Sequence, residues 1–434
     1  MCYSIPGRVV ESSGRTAVVD YYGERRTVVN EFKGLAAGEY VYAQGGFIVQ
    51  RIPDDEAREI LDVWRELFFR LKAVDEEKSR GGVKPKVGAE FAKTVGKAER
   101  GGTLLPGEIA AMVGADGPNA EYLALAANRV RKDALKNSCC VHGIIEFSNH
   151  CGSDCGYCGI RAGNKRLDRY RMTVDEIVEA ADEAVNVHGF RALVLQSGDD
   201  PGYTDDMLVE AVRSVKERCP ALLFMSVGTR SRECYRRMYE AGARGVLLRF
   251  ETSNPKLYAQ LHKGPKASLK DRLAAIRYAV ELGYVVATGS LIGLPGQTDL
   301  DIAGDIILAK NLKAEMHSFG PLIPHPDTPL ADSPKPPLEK VLNVIAADRL
   351  NDRESKILVT TALETLDGDG RRRGLLAGAN SLMINVTPIR YRMRYSIYPG
   401  HAREADAALE IRGTLDLLYS LGRAPTDLGV KAGA

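Results

Sequence analysis

From Leu104 onward, short and nearly continuous apolar runs alternate with amphipathic stretches, and this rhythm limits the fold more tightly than any other feature of the chain. The strand candidates are "GIIEFS" (143–148), "ALVLQS" (192–197), "LLFMSV" (222–227), "GVLLRFE" (245–251), "YVVATGSLIG" (284–293), "MHSFGPLI" (316–323), "KILVTTA" (356–362) and "SLMINV" (381–386). Unbroken apolar runs suit parallel strands that are buried on both faces. The segments between them carry helical periodicity and start signals. In "TVDEIVEAADEAVNV", Thr173 and Glu176 have the spacing of a capping box. Eight strands alternating with helices predict an α/β fold, a (β/α)8 barrel of the TIM type. In such a barrel the reacting groups sit on loops after the C-terminal strand ends.

The front of the chain has a different texture. "GRVV", "TAVVDYYGERRTVVN" and "EYVYAQGGFIVQ" are β-rich runs with turn signals at Tyr22–Gly23 and Gly45–Gly46, and they predict a small five-stranded β-barrel. A helix follows, in which Ile60, Trp64, Leu67, Phe68 and Leu71 share one face; such a stripe is expected to pack as core. The next stretch, "DEEKSRGGVKPKVGAEFAKTVGKAERGGT", is rich in Gly and Lys and reads as a linker. The predicted division is residues 1–78 as a small β-barrel with a C-terminal helix, 79–103 as linker, and 104–434 as the (β/α)8 domain.

A formal net charge of +2 gives no electrostatic case for nucleic acid or an anionic membrane. No apolar run approaches the roughly 20 residues of a membrane span, and the N-terminus lacks a basic-then-apolar signal pattern. The expected location is the cytoplasm, where thiols stay reduced. A cysteine cluster in this setting points to metal or catalysis rather than to disulfides.

Such a cluster follows the first barrel strand. "NHCGSDCGYCGI" (149–160) holds Cys151, Cys155 and Cys158, three of the eight cysteines, spaced Cys-x3-Cys-x2-Cys. A structural zinc site takes four ligands, normally as two separated pairs. A ferredoxin-type cluster takes four cysteines. Three thiolates on one tight loop suit a four-iron cluster that keeps one iron open to a ligand. Cys139, Cys140, Cys219 and Cys234 are expected to be small apolar fillers.

With Tyr157 just before its last cysteine, the motif resembles the radical S-adenosylmethionine (SAM) superfamily. The resemblance implies a 4Fe–4S cluster on Cys151, Cys155 and Cys158, with SAM bound to the open iron. It further implies reductive cleavage to a 5′-deoxyadenosyl radical, with the electron coming from reduced ferredoxin or flavodoxin. More of the chain, from about Leu104 to Gly429, resembles the FeFe-hydrogenase maturase family HydE, whose relatives include biotin synthase and methylornithine synthase. The matching stretches are "IIEFSN", "RYRMT", "VLQSGDD", "LLRFET", "GLPGQT", "FGPLIPHPDTPL", "TTAL", "AGAN" and "YSIYPG".

The resemblance implies roles for individual residues. Tyr157, Gln196, Ser197, Gly198, Asp199 and Glu251 are expected at SAM, with Asp199 standing where the family has Glu. Arg272 is expected to pair with the SAM carboxylate, a task suited to a guanidinium fork. Arg249, Thr360, Thr361, Tyr395 and Tyr398 are expected around a small carboxylate-bearing or organometallic substrate. Thr229 departs from the family's Glu after the third strand. "GLPGQT" is expected to be a tight turn rather than a phosphate loop, and His325, between prolines, to be structural.

"MCYSIPGRVV" resembles the start of the hydrogenase assembly chaperone family HypC/HupF. That resemblance implies an iron-binding Cys2 and hydrogenase assembly proteins as partners. The second chaperone signature normally carries His where this chain has Gln44, and an amide is a poorer metal ligand than imidazole. Three functions are open: a maturase that acts on, or supplies carbon monoxide to, a thiolate-bound iron fragment; a radical enzyme for a free amino acid; and an assembly scaffold with a vestigial cluster.

Overall fold

The computed structural model describes residues 3–81, 85–264, 268–401 and 406–429. Strands β1 (Gly7–Ser13), β2 (Thr16–Tyr21), β3 (Glu24–Val29), β4 (Tyr40–Gln44) and β5 (Phe47–Ile52) close a small barrel in the order β1-β2-β3-β5-β4. Helix α1 (Asp54–Arg80) lays Trp64, Phe68 and Leu71 on Tyr3, Val19, Tyr21 and Val41 of this barrel, so the apolar stripe is core.

The segment read as a linker carries structure. Helix α1 runs on to Arg80, with Asp75 and Ser79 buried. Helix α2 (Ala89–Glu99) then buries Val95 and Ala98 in the core of the large domain, beside α3 (Pro106–Val113) and α4 (Gly117–Leu135). Its apolar edge, Phe91, Val95 and Ala98, is too short to outweigh the Lys and Gly around it in a composition reading.

The large domain is an eight-stranded parallel barrel. Its strands, eight in the ring plus the separate short pair β11 and β13, are β6 (Ser138–Ser148), β7 (Ala192–Ser197), β8 (Leu222–Ser226), β9 (Gly245–Leu247), β10 (Val285–Thr288), β11 (Leu291–Ile292), β12 (Met316–His317), β13 (Gly320–Pro321), β14 (Lys356–Ile357) and β15 (Ser381–Asn385). The ladder runs β15-β6-β7-β8-β9-β10-β12-β14. Val359 N–H to Ser381 O at 2.9 Å and Asn380 N–H to Ile357 O at 3.0 Å close the ring. Strands β11 and β13 pair with each other beyond β10 and β12, so the expected strands 284–293 and 316–323 each occur in two pieces. The break lies at Gly289, where a Cβ would stand 2.1 Å from Ser318 O. Strand β6 starts at Ser138 rather than Gly143 and takes in Cys139 and Cys140. A last strand, β16 (Ala424–Pro425), pairs with the start of β6.

The N-terminal floor of the large barrel is filled by Ile144, Val194, Phe224, Val285, Met316 and Met383, and Phe47 of the small barrel joins this layer. The Arg191 guanidinium sits 3.2 Å from the centre of the Tyr42 ring. The docking is clasped by buried charge. Asp75 of α1 accepts from both terminal nitrogens of Arg131 at 2.8 Å, and Arg423 Nε lies 3.2 Å from the same carboxylate. Among the described residues no helix is long and apolar enough to cross a membrane.

Candidate active site

The loop after β6 carries Cys151, Cys155 and Cys158 over the C-terminal mouth of the barrel, at one cavity of about 270 Å³. The loop is fastened to the end of β7. Gly152 N–H donates to Asp199 O at 2.8 Å, and Asp199 N–H donates to Cys151 Sγ at 3.3 Å. Asn149, at the start of the loop, spans the Asp168 and Arg394 carbonyls at 2.8 Å each. Below the mouth, Leu247, Leu248, Leu291, Leu322, Ile323 and Ile397 give the cavity apolar walls.

The three thiols fit an iron–sulfur cluster. Burial pushes each pKa up, that of Cys155 to about 12, and the charge of neighbouring cysteines adds to the effect at Cys155 and Cys158. All three cysteines line this one cavity, and a cationic metal load relieves what burial imposes on their thiolates. Three soft donors suit iron–sulfur ligation. Among the described residues no other cysteine lines the cavity.

The structure gathers most of the residues expected at SAM and substrate. Tyr157, Gln196, Ser197, Gly198, Asp199, Arg249, Glu251, Arg272, Tyr395 and Tyr398 line the same cavity as the cysteines. Thr360 and Thr361 stand outside this lining. Thr361 Oγ1 is hydrogen-bonded to Tyr398 OH, and Thr360 immediately precedes the helix Thr361–Leu366, its hydroxyl turned toward Gly320 and making no cap bond. Cys2 lies outside the described residues; nearby, Ser4 N–H donates to Pro425 O at 3.2 Å. Cys219 and Cys234 are buried in the outer core, as expected of fillers. His325 bonds Ser396 Oγ at 3.2 Å, and Gln297 Oε1 accepts from Gly293 and Leu294 N–H, closing "GLPGQT" into a turn.

Glu251 occupies a left-handed backbone conformation, φ 69°, which costs a non-glycine residue about 1 kcal/mol. It is held there by Glu251 N–H to Gly289 O and Leu291 N–H to Glu251 O, both 3.0 Å, across the β10–β11 junction. Its carboxylate lies 3.0 Å from Arg249 Nη2. Arg272 donates to Tyr258 OH at 3.1 Å and to Arg249 O at 2.9 Å, which leaves its Nη2 without a protein partner among the described residues. Burial opposes the Arg272 charge, but Tyr258, Tyr157, Glu251 and Cys155 outweigh burial and raise its pKa.

A histidine that was not anticipated orders this wall. His262 stacks on Tyr258 with ring centres 3.9 Å apart, and its Nε2 meets Tyr157 OH at 3.0 Å. Its Nδ1 lies 3.1 Å from Tyr258 O, which only accepts, so the proton sits on Nδ1 and Nε2 accepts from Tyr157. Burial, then Arg272, pushes the His262 pKa from 6.5 down to about 4. The neutral ring is thus the folded form. Because the folded value lies below the unfolded one, the stabilisation is complete above pH 6.5 and is lost as pH falls towards 4, amounting to about 3 kcal/mol. Urea unfolding of the cluster-free chain should show this extra loss between pH 7 and pH 4 relative to His262→Gln. Parallel pH profiles for the two chains would refute it.

Two further features escaped the sequence. The Asp199 carboxylate accepts from Ser153 Oγ at 2.9 Å and Thr229 N–H at 3.0 Å, so it ties the cysteine loop to the end of β8. This requires Gly228, where a Cβ would lie 2.0 Å from Asp199 Oδ1. Glu146, fully buried, pairs with His401 Nε2 at 2.5 Å and accepts from Asn385 at 2.8 Å, and the His401 ring lies against Tyr398. An acid in the middle of an apolar strand run was the available signal.

Residues 145–308 match the radical SAM superfamily, and residues 1–64 match the HupF/HypC family. The FeFe hydrogenase maturase subunit HydE of Thermotoga maritima is 41% identical over 307 residues, covering 70% of this chain and 87% of that protein. The 3-methylornithine synthase of Methanosarcina acetivorans is 29% identical, over 70% of this chain and 85% of that protein. The fold agrees with a crystal structure of methylornithine synthase (TM-score 0.68, 24% identity, 77% of this chain and 97% of that one). It agrees equally with the FeFe-hydrogenase maturase HydG from Carboxydothermus hydrogenoformans (TM-score 0.68, 21% identity, 84% and 85%). With its three-cysteine loop over the mouth of a parallel barrel, the chain belongs to the radical SAM superfamily, in the family of the hydrogenase maturase HydE, carries a HupF/HypC domain at its N-terminus, and is an enzyme that uses a 4Fe–4S cluster and SAM.

Proposed function

We propose that this radical SAM enzyme acts in building the diatomic-ligated iron of a hydrogenase, modifying or supplying carbon monoxide to a thiolate-bound iron fragment. The observation that carries this reading is the joining, in one chain, of a HydE-like barrel to a HupF/HypC domain seated on its floor. When bound, the cluster and SAM supply one-electron cleavage to a 5′-deoxyadenosyl radical, with reduced ferredoxin or flavodoxin as the electron source.

The chain's own residues position and shield. Cys151, Cys155 and Cys158 hold the cluster. Arg272, through its spare Nη2, binds the SAM carboxylate, while Glu251 and the turn Gln196–Asp199 receive its amino end. Tyr157 is fixed by His262 on the same wall. Arg249, Tyr395 and Tyr398 offer one cation and two hydroxyl groups to an anionic or carbonyl-bearing substrate. The apolar walls keep water from the radical. Cys2 holds the iron fragment on the small domain, in exchange with hydrogenase assembly proteins.

Infrared spectroscopy of carbonyl-bearing iron on the chain tests the reading, together with mass spectrometry of 5′-deoxyadenosine. Cys2→Ala is expected to remove the carbonyl bands and spare SAM cleavage. Bands of unchanged intensity in Cys2→Ala would sink the iron-carrier role of Cys2, and a wild-type chain that shows no bands would favour a free amino acid as substrate, the chemistry named for the 29%-identical 3-methylornithine synthase.

A further inference from the structure

At the opposite end of the barrel from the cysteine loop, three ligand-bearing side chains converge. Cys140 and His142 project inward from the first residues of β6, and Asp427 comes from the segment after β16. One potential ligand atom from each, a thiol sulfur, a ring nitrogen and a carboxylate oxygen, lie within 4.8 Å of one another. All three residues are buried, with His142 at 3% and Asp427 at 1% exposure. His142 Nε2 lies 3.3 Å from Asp427 Oδ2, and the ring is held flat against Phe224.

Polar atoms with nothing to bind surround this trio. Gln44, at the end of β4, is completely buried, yet neither its Oε1 nor its Nε2 has a hydrogen-bond partner among the described residues. His142 Nδ1 is also buried without one. Leaving an amide unsatisfied in a closed interior costs about 1–3 kcal/mol, a penalty that folded proteins rarely carry without a ligand to meet it. Gln44 lines the same cavity, of about 210 Å³, as Cys140, His142 and Asp427. The cations at its rim are already matched: Arg26 with Glu24, and Lys356 with Glu315, each at 3.0 Å.

We propose that Cys140, His142 and Asp427, with the Gln44 amide oxygen as a fourth donor, form a mononuclear site for a borderline divalent transition metal, Zn2+ or Fe2+, at the junction of the two domains. One thiolate, one imidazole and one carboxylate make a donor set typical of such ions rather than of Mg2+ or Ca2+. Two anionic ligands balance a dication, so the closed interior carries no net charge. Tetrahedral bonds of roughly 2.0–2.3 Å place ligand atoms about 3.5 Å apart, within a small side-chain adjustment of the spacing present. The metal would bind β6, the C-terminal segment and the β4–β5 hairpin into one unit. The site is separate from the cysteine loop and independent of the proposed substrate.

The test uses the full chain with its cluster reconstituted from natural-abundance iron. Zn2+ or 57Fe2+ is then added and excess removed by gel filtration. The expected result is one equivalent of zinc by mass spectrometry, with one sulfur at about 2.3 Å and lighter neighbours at about 2.0–2.1 Å in the zinc X-ray absorption. In the other arm a high-spin ferrous doublet is expected in the Mössbauer spectrum. The arm that retains metal under competition by a chelator identifies the ion. Cys140→Ser and Asp427→Asn should weaken retention at least about tenfold, and 5′-deoxyadenosine formation at the far end of the barrel reports that these variants are folded. Gln44→His should tighten it by about tenfold, because imidazole replaces an amide. Wild-type chain that holds no metal beyond its cluster, or holds it equally well in Cys140→Ser and Asp427→Asn, overturns the site. Unchanged affinity in Gln44→His removes Gln44 from it.

Discussion

Replacing any one of Cys151, Cys155 and Cys158 by Ala is expected to take SAM cleavage to background, a fall of at least about a thousandfold. No substitute ligand is within reach: of the other described cysteines, Cys139, Cys219 and Cys234 sit in the outer core and Cys140 on the barrel floor. Two sulfurs cannot hold a four-iron cluster whose third corner ligand is gone. Ser in place of Cys gives no rescue, because a hard alkoxide is a poor match for iron–sulfur chemistry. The effect is chemical rather than structural, since the Asn149 and Gly152 fastenings involve no cysteine side chain and only Cys151→Ala loses a bond, the one from Asp199 N–H. Iron and sulfide content, the electron paramagnetic resonance signal of the reduced protein and the yield of 5′-deoxyadenosine measure it. Cys219→Ala and Cys234→Ala are the controls, expected to retain full cleavage. A cluster cysteine whose Ala variant still turns over at the wild-type rate would not be a ligand.

The largest effect on stability is expected from Asp75→Ala, a loss of about 3–5 kcal/mol. Asp75 is the shared anion for Arg131 and Arg423, whose side chains are at 0% and 1% exposure. Burial, and then the like charge of Arg131, already depresses the Arg423 pKa to about 9. Without the carboxylate, two guanidinium groups face each other in the interior with only neutral acceptors, Asn128 Oδ1 and nearby carbonyls, to compensate. Because Asp75 lies on α1, the same change loosens the small barrel from the large one. Urea unfolding should show the loss, and limited proteolysis should release the front of the chain early. Asp54→Ala, which breaks an exposed ion pair to Arg58, is the comparison, with an expected change of at most about 0.5 kcal/mol. Equal unfolding midpoints for Asp75→Ala and Asp54→Ala would show that the clasp is not what holds the domains.

The barrel was legible because parallel strands buried on both sides write themselves as unbroken apolar runs, and all eight expected runs contain a strand of the ring. Helix α2 was hidden, since its apolar stripe, Phe91, Val95 and Ala98, is short and lies among the Lys and Gly that dominate the composition of the stretch. The interruption at Gly289 depends on the closeness of the Ser318 carbonyl, which no local pattern records. The site divides along the same line. Residues on one loop or at strand ends were found from spacing and motif, and they meet in one cavity. Ser153, His262 and the Glu146–His401 pair act through partners far along the chain, and Thr360 and Thr361 stand outside the lining, Thr360 facing Gly320 and Thr361 bonded to the cavity-lining Tyr398. Cys140 reads as filler in the sequence because it becomes a possible ligand only when β16 brings Asp427 beside it.

Phe47 in the floor of the large barrel has a kinetic consequence. Among the described residues, a vessel stoppered at its base opens at the rim that bears the sulfur-rich loop. Incoming reactant and outgoing product must then use the same passage by turns, so each round waits for departure, and a lingering product competes with the next arrival rather than being swept through.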